Sequence, residues 1–214
     1  MTHRLLLLRH GEVTSHRGDV AVTDRGLEGA ERLGRRLAAT AGRLRVLTGG
    51  TLRARQTGAA VAAGARAAGA AVGEPRVAFA LRNPDIYVAG ERVEMVSSPA
   101  ALAGQVPGMT VDEAAAVPFF AGFFDHPDRI GWWLRLGQVP GEDAEALARR
   151  VDHFAASLPD RTARPAELTV GVTHSPVLRA CALAHLGHDP GEPEWLTGLE
   201  LSVGPDRRVV CRPG

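Results

Sequence analysis

The chain has 214 residues, 45% of them apolar, and a formal net charge of +1. That length holds one domain with a full core, or one domain with an insertion. The near-neutral balance, with no basic stripe interleaved with aromatics, speaks against nucleic acid or an anionic membrane surface as partner; all 25 basic residues are arginine, so any cationic site is local.

Leu5-Leu6-Leu7-Leu8 predicts a short buried strand, too brief for a helix or a membrane span. It ends at Arg9-His10-Gly11, which lifts a cation and an imidazole to the rim of a sheet. In open α/β sheets, ligands bind at the carboxyl ends of the strands. A polar loop follows to Val22, and Thr23 or Asp24 caps a helix with Leu27, Ala30, Gly34, Leu37 and Ala41 on one face. Leu44, Val46 and Leu47 predict a second strand, and Thr51 to Thr57 opens an alanine-rich helix to about Ala71, weakened by Gly58, Gly64 and Gly69. The alternation of Val77, Phe79 and Leu81 predicts a third strand.

From Asn83 to about Pro140 the pattern becomes irregular, and Phe119, Phe120, Phe123, Phe124, Trp132 and Trp133 cluster there. This stretch, about 83–140, reads as an insertion of short helices over one sheet edge, its aromatics forming a core of their own rather than a ligand pocket. Glu142-Asp143 then opens an amphipathic helix carrying Leu147, Val151, Phe154 and Leu158, stopped by Pro159. Leu168, Val170 and Val172 predict a strand that ends at Thr173-His174-Ser175, and Pro176 suits the first turn of a helix running to Gly187, with Cys181 in the core. Trp195 to Val203 and Arg208 to Cys211 predict two final strands, joined at Gly204-Pro205-Asp206. The expected fold is a three-layer α/β/α sandwich: one domain over 1–214, its sheet mostly parallel, with helices on both faces and a possible antiparallel last pair. Cys181 and Cys211 form no C-x-x-C pair, and no apolar stretch reaches spanning length, so a cytoplasmic, membrane-free protein is the expectation.

His10 and His174 stand at equivalent places, each after an apolar strand and before a turn. Arg9 adjoins the first, and Arg53 lies near the start of the helix after the second strand. With these strands side by side, two imidazoles and two guanidiniums make a cationic nest, and helix N-termini add backbone donors. Such a nest suits a phosphoryl group. An imidazole with an unprotonated attacking nitrogen is a nucleophile, a state that neighbouring positive charge favours. His3, His126, His153, His185 and His188 lack such context and read as structural or solvated, and no His/Cys/Asp set shows metal-ligand spacing.

Leu8-Arg9-His10-Gly11-Glu12 resembles the signature of the histidine phosphatase superfamily, which includes the phosphoglycerate mutases. Thr23-x-x-Gly26 with Leu33-Gly34-x-x-Leu37, Arg53 to Thr57, Pro140 to Asp143, and Val172 to Arg179 resemble further family segments in the same order, while the middle third matches poorly, as a variable cap does. The resemblance implies a nucleophile at His10, with Arg9, Arg53 and His174 holding the phosphoryl oxygens. It also implies a carboxylic acid that protonates the leaving alcohol, and no metal or cofactor. Where the family often carries that acid as a glutamate, this chain has Asn83; Asp85 is the nearest carboxylate and the expected acid, with Glu91 and Glu94 as substitutes. His16 stands where the family often has asparagine. The implied activity is metal-independent hydrolysis of a small phosphorylated metabolite. A cofactor-dependent mutase and a non-catalytic phosphate-binding or interaction module are the alternatives, and a homodimer is left open.

Overall fold

The computed structural model describes residues 2–15, 18–160 and 167–214; His16, where the family pattern departs, lies outside them. In chain order the elements are β1 (His3–Arg9), α1 (Asp24–Thr40), β2 (Arg43–Thr48), α2 (Leu52–Ala67), β3 (Ala71–Val72), β4 (Arg76–Val77), β5 (Ile86–Val88) and β6 (Glu91–Val93). Four short helices follow: α3 (Pro99–Ala103), α4 (Val111–Ala116), α5 (Pro118–Asp125) and α6 (Arg129–Leu134). The chain closes with α7 (Ala144–Ser157), β7 (Glu167–Thr173), α8 (Ser175–Leu186), β8 (Gly198–Val203) and β9 (Val209–Pro213).

The main sheet runs β3-β2-β7-β1-β8-β9, with β4 also paired to β2. Strands β1, β2, β3, β4 and β7 are mutually parallel, and β8 and β9 add as an antiparallel edge. The leucine run explains the three layers. Successive side chains on a strand point to opposite faces. Leu5 and Leu7 therefore join the core beneath α7 and α8, while Leu6 and Leu8 join the one beneath α1 and α2. A strand buried on both faces is a continuous apolar run rather than an alternating one.

Helices α1 and α2 cross at glycines. A Cβ on Gly34 would lie 2.1 Å from the Val61 carbonyl oxygen, and one on Gly64 would lie 2.0 Å from that of Glu31. The glycines that lower α2's helix propensity are thus what let its backbone approach α1. Thr23 caps α1 by accepting from the Gly26 N–H at 3.0 Å, and Asp143 caps α7 by accepting from Ala146 at 2.7 Å.

Three expectations are corrected. The strand expected at Val77, Phe79 and Leu81 is only Arg76–Val77; Phe79–Leu81 is a single 3-10 turn. Phe79 is 71% exposed and lies under the Arg82 guanidinium, which also donates to its carbonyl, so the local turn wins over alternation. Helix α2 ends at Ala67, not Ala71, because Gly69 takes φ +86° and the chain turns to pair Ala71 and Val72 with β2. The strand expected from Trp195 starts at Gly198. The stretch 83–140 holds short helices as expected, but it begins with a β5–β6 hairpin that no local pattern announced.

Candidate active site

Strands β1 and β7 are paired in register with Arg9 opposite Thr173, so the residues that follow them leave the sheet side by side. His10 donates its backbone N–H to the Thr173 carbonyl at 3.1 Å, and the rings of His10 and His174 lie 5.4 Å apart between centroids. The next strand over, β2, leads into α2, whose second residue is Arg53. Arg9, His10, Arg53 and His174 line one cavity of about 450 Å³. The N-termini of α2 and α8 reach its wall through Thr51 and Ser175, a favourable setting for an anion.

His10 is 3% exposed and tightly held. Its Nδ1 lies 2.9 Å from the Gly11 carbonyl, a partner that only accepts, which assigns the proton to Nδ1. Nε2 then carries the lone pair, and the Arg53 Nε–H donates to it at 3.2 Å. Thr57 links the two segments: its hydroxyl accepts from the Gly11 N–H at 2.9 Å and donates to the Arg53 carbonyl at 2.7 Å. Burial draws the Arg53 guanidinium below its usual pKa, opposed by the charges of Asp19 and Glu94.

Arg9 is held by a loop that precedes β8. Its guanidinium donates to the Pro193 carbonyl at 2.5 Å, faces Glu192 at 2.6 Å and lies 3.5 Å from the centre of the Trp195 ring. Its buried Nε finds no acceptor among the described residues. A buried donor without a partner is costly and wants an acceptor. Burial also lowers the Arg9 pKa, against the pull of Glu192 and Glu194. Trp195 lies 5.2 Å from the His10 ring, so it packs on both members of the Arg-His pair.

Asp85 lies elsewhere. It is not part of the cavity wall, and its carboxylate accepts from Arg82 and Arg92, with Arg150 at 3.9 Å. Burial alone would raise its pKa, but the two arginines overcome this and hold it down at about 2. A carboxyl so held keeps no proton to donate near neutral pH. Glu91 is exposed on the β5–β6 hairpin and is also outside the wall. Of the three carboxylates weighed from the sequence, only Glu94 lines the cavity, beside Asn83.

Sequence reasoning missed Glu192 and Trp195 as site residues: the first carries no periodic signal and the second reads as part of a strand, yet both lie in the loop before β8, whose pairing with β1 brings that loop to the site. It also missed Arg129 and Ile130 of α6, which bring the 83–140 stretch to the cavity together with Met95, Val96, Ala101 and Phe123. The aromatics are buried, with Phe119, Phe120, Phe123 and Trp133 in the core, but that core is not their own: it is continuous with Leu5 and Leu7 of β1 and with α7 and α8. Arg179 is 1% exposed and ties this stretch to α8 and its following loop through bidentate bonds to Asp128 at 2.8 Å and to Asp189 at 2.9 and 2.6 Å. Among the described residues, no three His, Cys, Asp or Glu side chains are grouped to hold a metal ion, and no helix is long and apolar enough to cross a membrane.

Residues 5–73 match the model of the histidine phosphatase superfamily, branch 1. Among solved structures, the chain resembles mycobacterial glucosyl-3-phosphoglycerate phosphatase in complex with VO3, at TM-score 0.60 and 19% identity over 99% of this chain and 97% of that one. It also resembles a phosphoglycerate mutase from Bacillus anthracis str. Sterne, at TM-score 0.59 and 15% identity over 100% of this chain and 92% of that one. At these identities the likeness is one of fold. One curated protein, the large terminase subunit of Escherichia phage lambda, is 34% identical over 73 residues, which cover 34% of this chain and only 10% of the terminase. The first third of the chain is thus similar to the superfamily model, and the fold along the whole chain is shared with these solved structures.

Proposed function

We propose that the protein is a metal-independent phosphomonoester hydrolase acting on a small phosphorylated metabolite through a phosphohistidine at His10. The observation that carries this reading is the His10 ring: Nδ1 is committed to the Gly11 carbonyl, so Nε2 carries the lone pair that would attack, and the Arg53 guanidinium stands against that atom, where the phosphoryl group would sit. In the first step Nε2 attacks phosphorus in line and the bond to the leaving oxygen breaks. Arg9, Arg53 and His174 carry the charge on the equatorial oxygens. The unpartnered Arg9 Nε supports this role, because a phosphoryl oxygen is the acceptor it lacks. In the second step water attacks the phosphohistidine, and inorganic phosphate leaves.

The test is a screen of phosphorylated metabolites and aryl phosphates with excess chelator present, run on the native protein and on His10→Ala. Release of phosphate by the native protein, undiminished by chelator and lost by at least about 10³-fold in the variant, is the expected result. Label from a phosphate ester should also be trapped on His10. Activity that survives His10→Ala, or that vanishes with chelator, would end the proposal. Transfer that depends on a bisphosphoglycerate, without net release of phosphate, would assign a mutase instead.

A further inference from the structure

We propose that Glu94 is the acid that protonates the leaving oxygen, and that Asn83 is the positioning residue that holds it in both protonation states. This rests on the reading of His10 as nucleophile. An alkoxide is a poor leaving group, so cleavage of an alkyl phosphate at neutral pH calls for a proton delivered to the bridging oxygen.

Among the described residues, three carboxylates line the cavity: Asp19, Glu94 and Glu192. Asp19 accepts from the Leu52 N–H at 2.7 Å, fixing the start of α2, and faces Arg53 at 3.6 Å. Glu192 faces Arg9 at 2.6 Å and Arg179 at 3.7 Å, and accepts from the Ser175 hydroxyl at 2.5 Å. Its two oxygens are thus taken up, Oε1 by Arg9 and Oε2 by Ser175 and Arg179. Glu94 is placed differently. Gln105 fixes its backbone, accepting from the Glu94 N–H at 2.8 Å and donating to its carbonyl at 3.4 Å. Its Oε1 accepts from Arg92 at 3.0 Å, and its Oε2 has a neutral partner, the Asn83 amide, at 2.9 Å.

Asn83 is 6% exposed, lines the cavity, and its Oδ1 has no donor among the described residues. An amide carries a donor and an acceptor on one group. In the orientation described, Nδ2–H donates to the Glu94 carboxylate. Turned over, Oδ1 accepts from the O–H of protonated Glu94. The pair can therefore remain bonded while the proton leaves and returns, which two carboxylates at this spacing could not do without mutual repulsion.

The proton balance closes over the cycle. Glu94 O–H gives its proton to the leaving oxygen as the P–O bond breaks and the Nε2–P bond forms. The Glu94 carboxylate then takes a proton from the attacking water. The N–P bond breaks, its electron pair returns to Nε2, and Glu94 is again protonated.

The test compares 4-nitrophenyl phosphate with benzyl phosphate, two esters of similar size whose leaving groups differ in their need for a proton. On the full chain, Glu94→Gln should lower kcat/KM for benzyl phosphate by about 10²–10⁴-fold and for 4-nitrophenyl phosphate by less than about tenfold. The remaining nitrophenyl activity doubles as the check that the variant folds. Asn83→Asp should move the alkaline limb of the benzyl phosphate pH–rate profile to higher pH, because a like charge beside Glu94 retains its proton. Equal losses on both esters in Glu94→Gln, or a selective benzyl loss in Asp85→Asn instead, would overturn the assignment of Glu94. An unmoved profile in Asn83→Asp would remove Asn83 from it. A native protein inactive on every phosphate ester would overturn the His10 reading, and this one with it; a native protein active on both esters confines any failure to Glu94.

Discussion

At the scale of single residues, the site is a set of guanidiniums each committed to a different task. Arg53 faces His10, Arg9 is held by Glu192 and Trp195, and Arg82, Arg92 and Arg150 gather around Asp85. The last group makes Asp85 a structural carboxylate. Its pKa is held at about 2, below the ordinary 3.8, so its ionised form stabilises the fold above the unfolded-state value, and that contribution is lost as pH falls through about 2. The difference amounts to about 2 kcal/mol. Asp85→Asn should therefore be less stable than the native chain at pH 7. The gap should narrow by about that amount between pH 4 and pH 2, as read by urea unfolding. A gap independent of pH would mean that the three arginines do not hold the carboxylate.

At the scale of elements, the decisive contact on one face is the α1–α2 crossing. Gly64→Ala should gain up to about 1 kcal/mol of helix propensity yet lose more, because the new Cβ would sit 2.0 Å from the Glu31 carbonyl oxygen and force the helices apart. We expect a net loss of about 2 kcal/mol, or about 4–8 °C in Tm for a chain of this size. A raised Tm in a thermal melt would show that the crossing opens without cost. The same crossing matters for the site, since α2 carries Arg53 at its first turn and α1 buttresses α2.

At the scale of the whole molecule, the cavity is bounded by two unlike walls. The rim of the sheet supplies Arg9, His10, Arg53 and His174, and the 83–140 stretch supplies a mixed wall, with Met95, Val96, Ala101, Phe123 and Ile130 beside Asn83, Glu94, Ser97, Gln105 and Arg129. The apolar part of this second wall suits hydrocarbon. A benzyl group in place of glycerol on the phosphate should lower KM by about tenfold or more, at about 0.8 kcal/mol per buried CH₂. Ile130→Glu should erase that preference while the nitrophenyl ester is still hydrolysed. Equal KM values for benzyl and glycerol phosphate in the native chain would exclude an apolar leaving-group site.

What the amino-acid order determined by itself is local. Four leucines followed by Arg-His-Gly specify a two-face buried strand with a polar end, because burial on both faces removes alternation and the abrupt polarity marks the rim. Pro176 and Gly187 bracket α8, and Thr23 and Asp143 start α1 and α7, because caps act within one turn. Arg9, His10, Arg53 and His174 were legible for the same reason, each sitting at an element's end. Tertiary structure alone decided which carboxylate faces them. Asp85 and Glu94 are nine positions apart in a stretch without periodicity, and only the β5–β6 hairpin turns one toward three arginines and the other toward the cavity. Glu192 and Trp195 reached the site in the same way, through the pairing of β8 with β1. Contacts between positions far apart in the chain depend on strand order and loop path, and no spacing along the sequence encodes those.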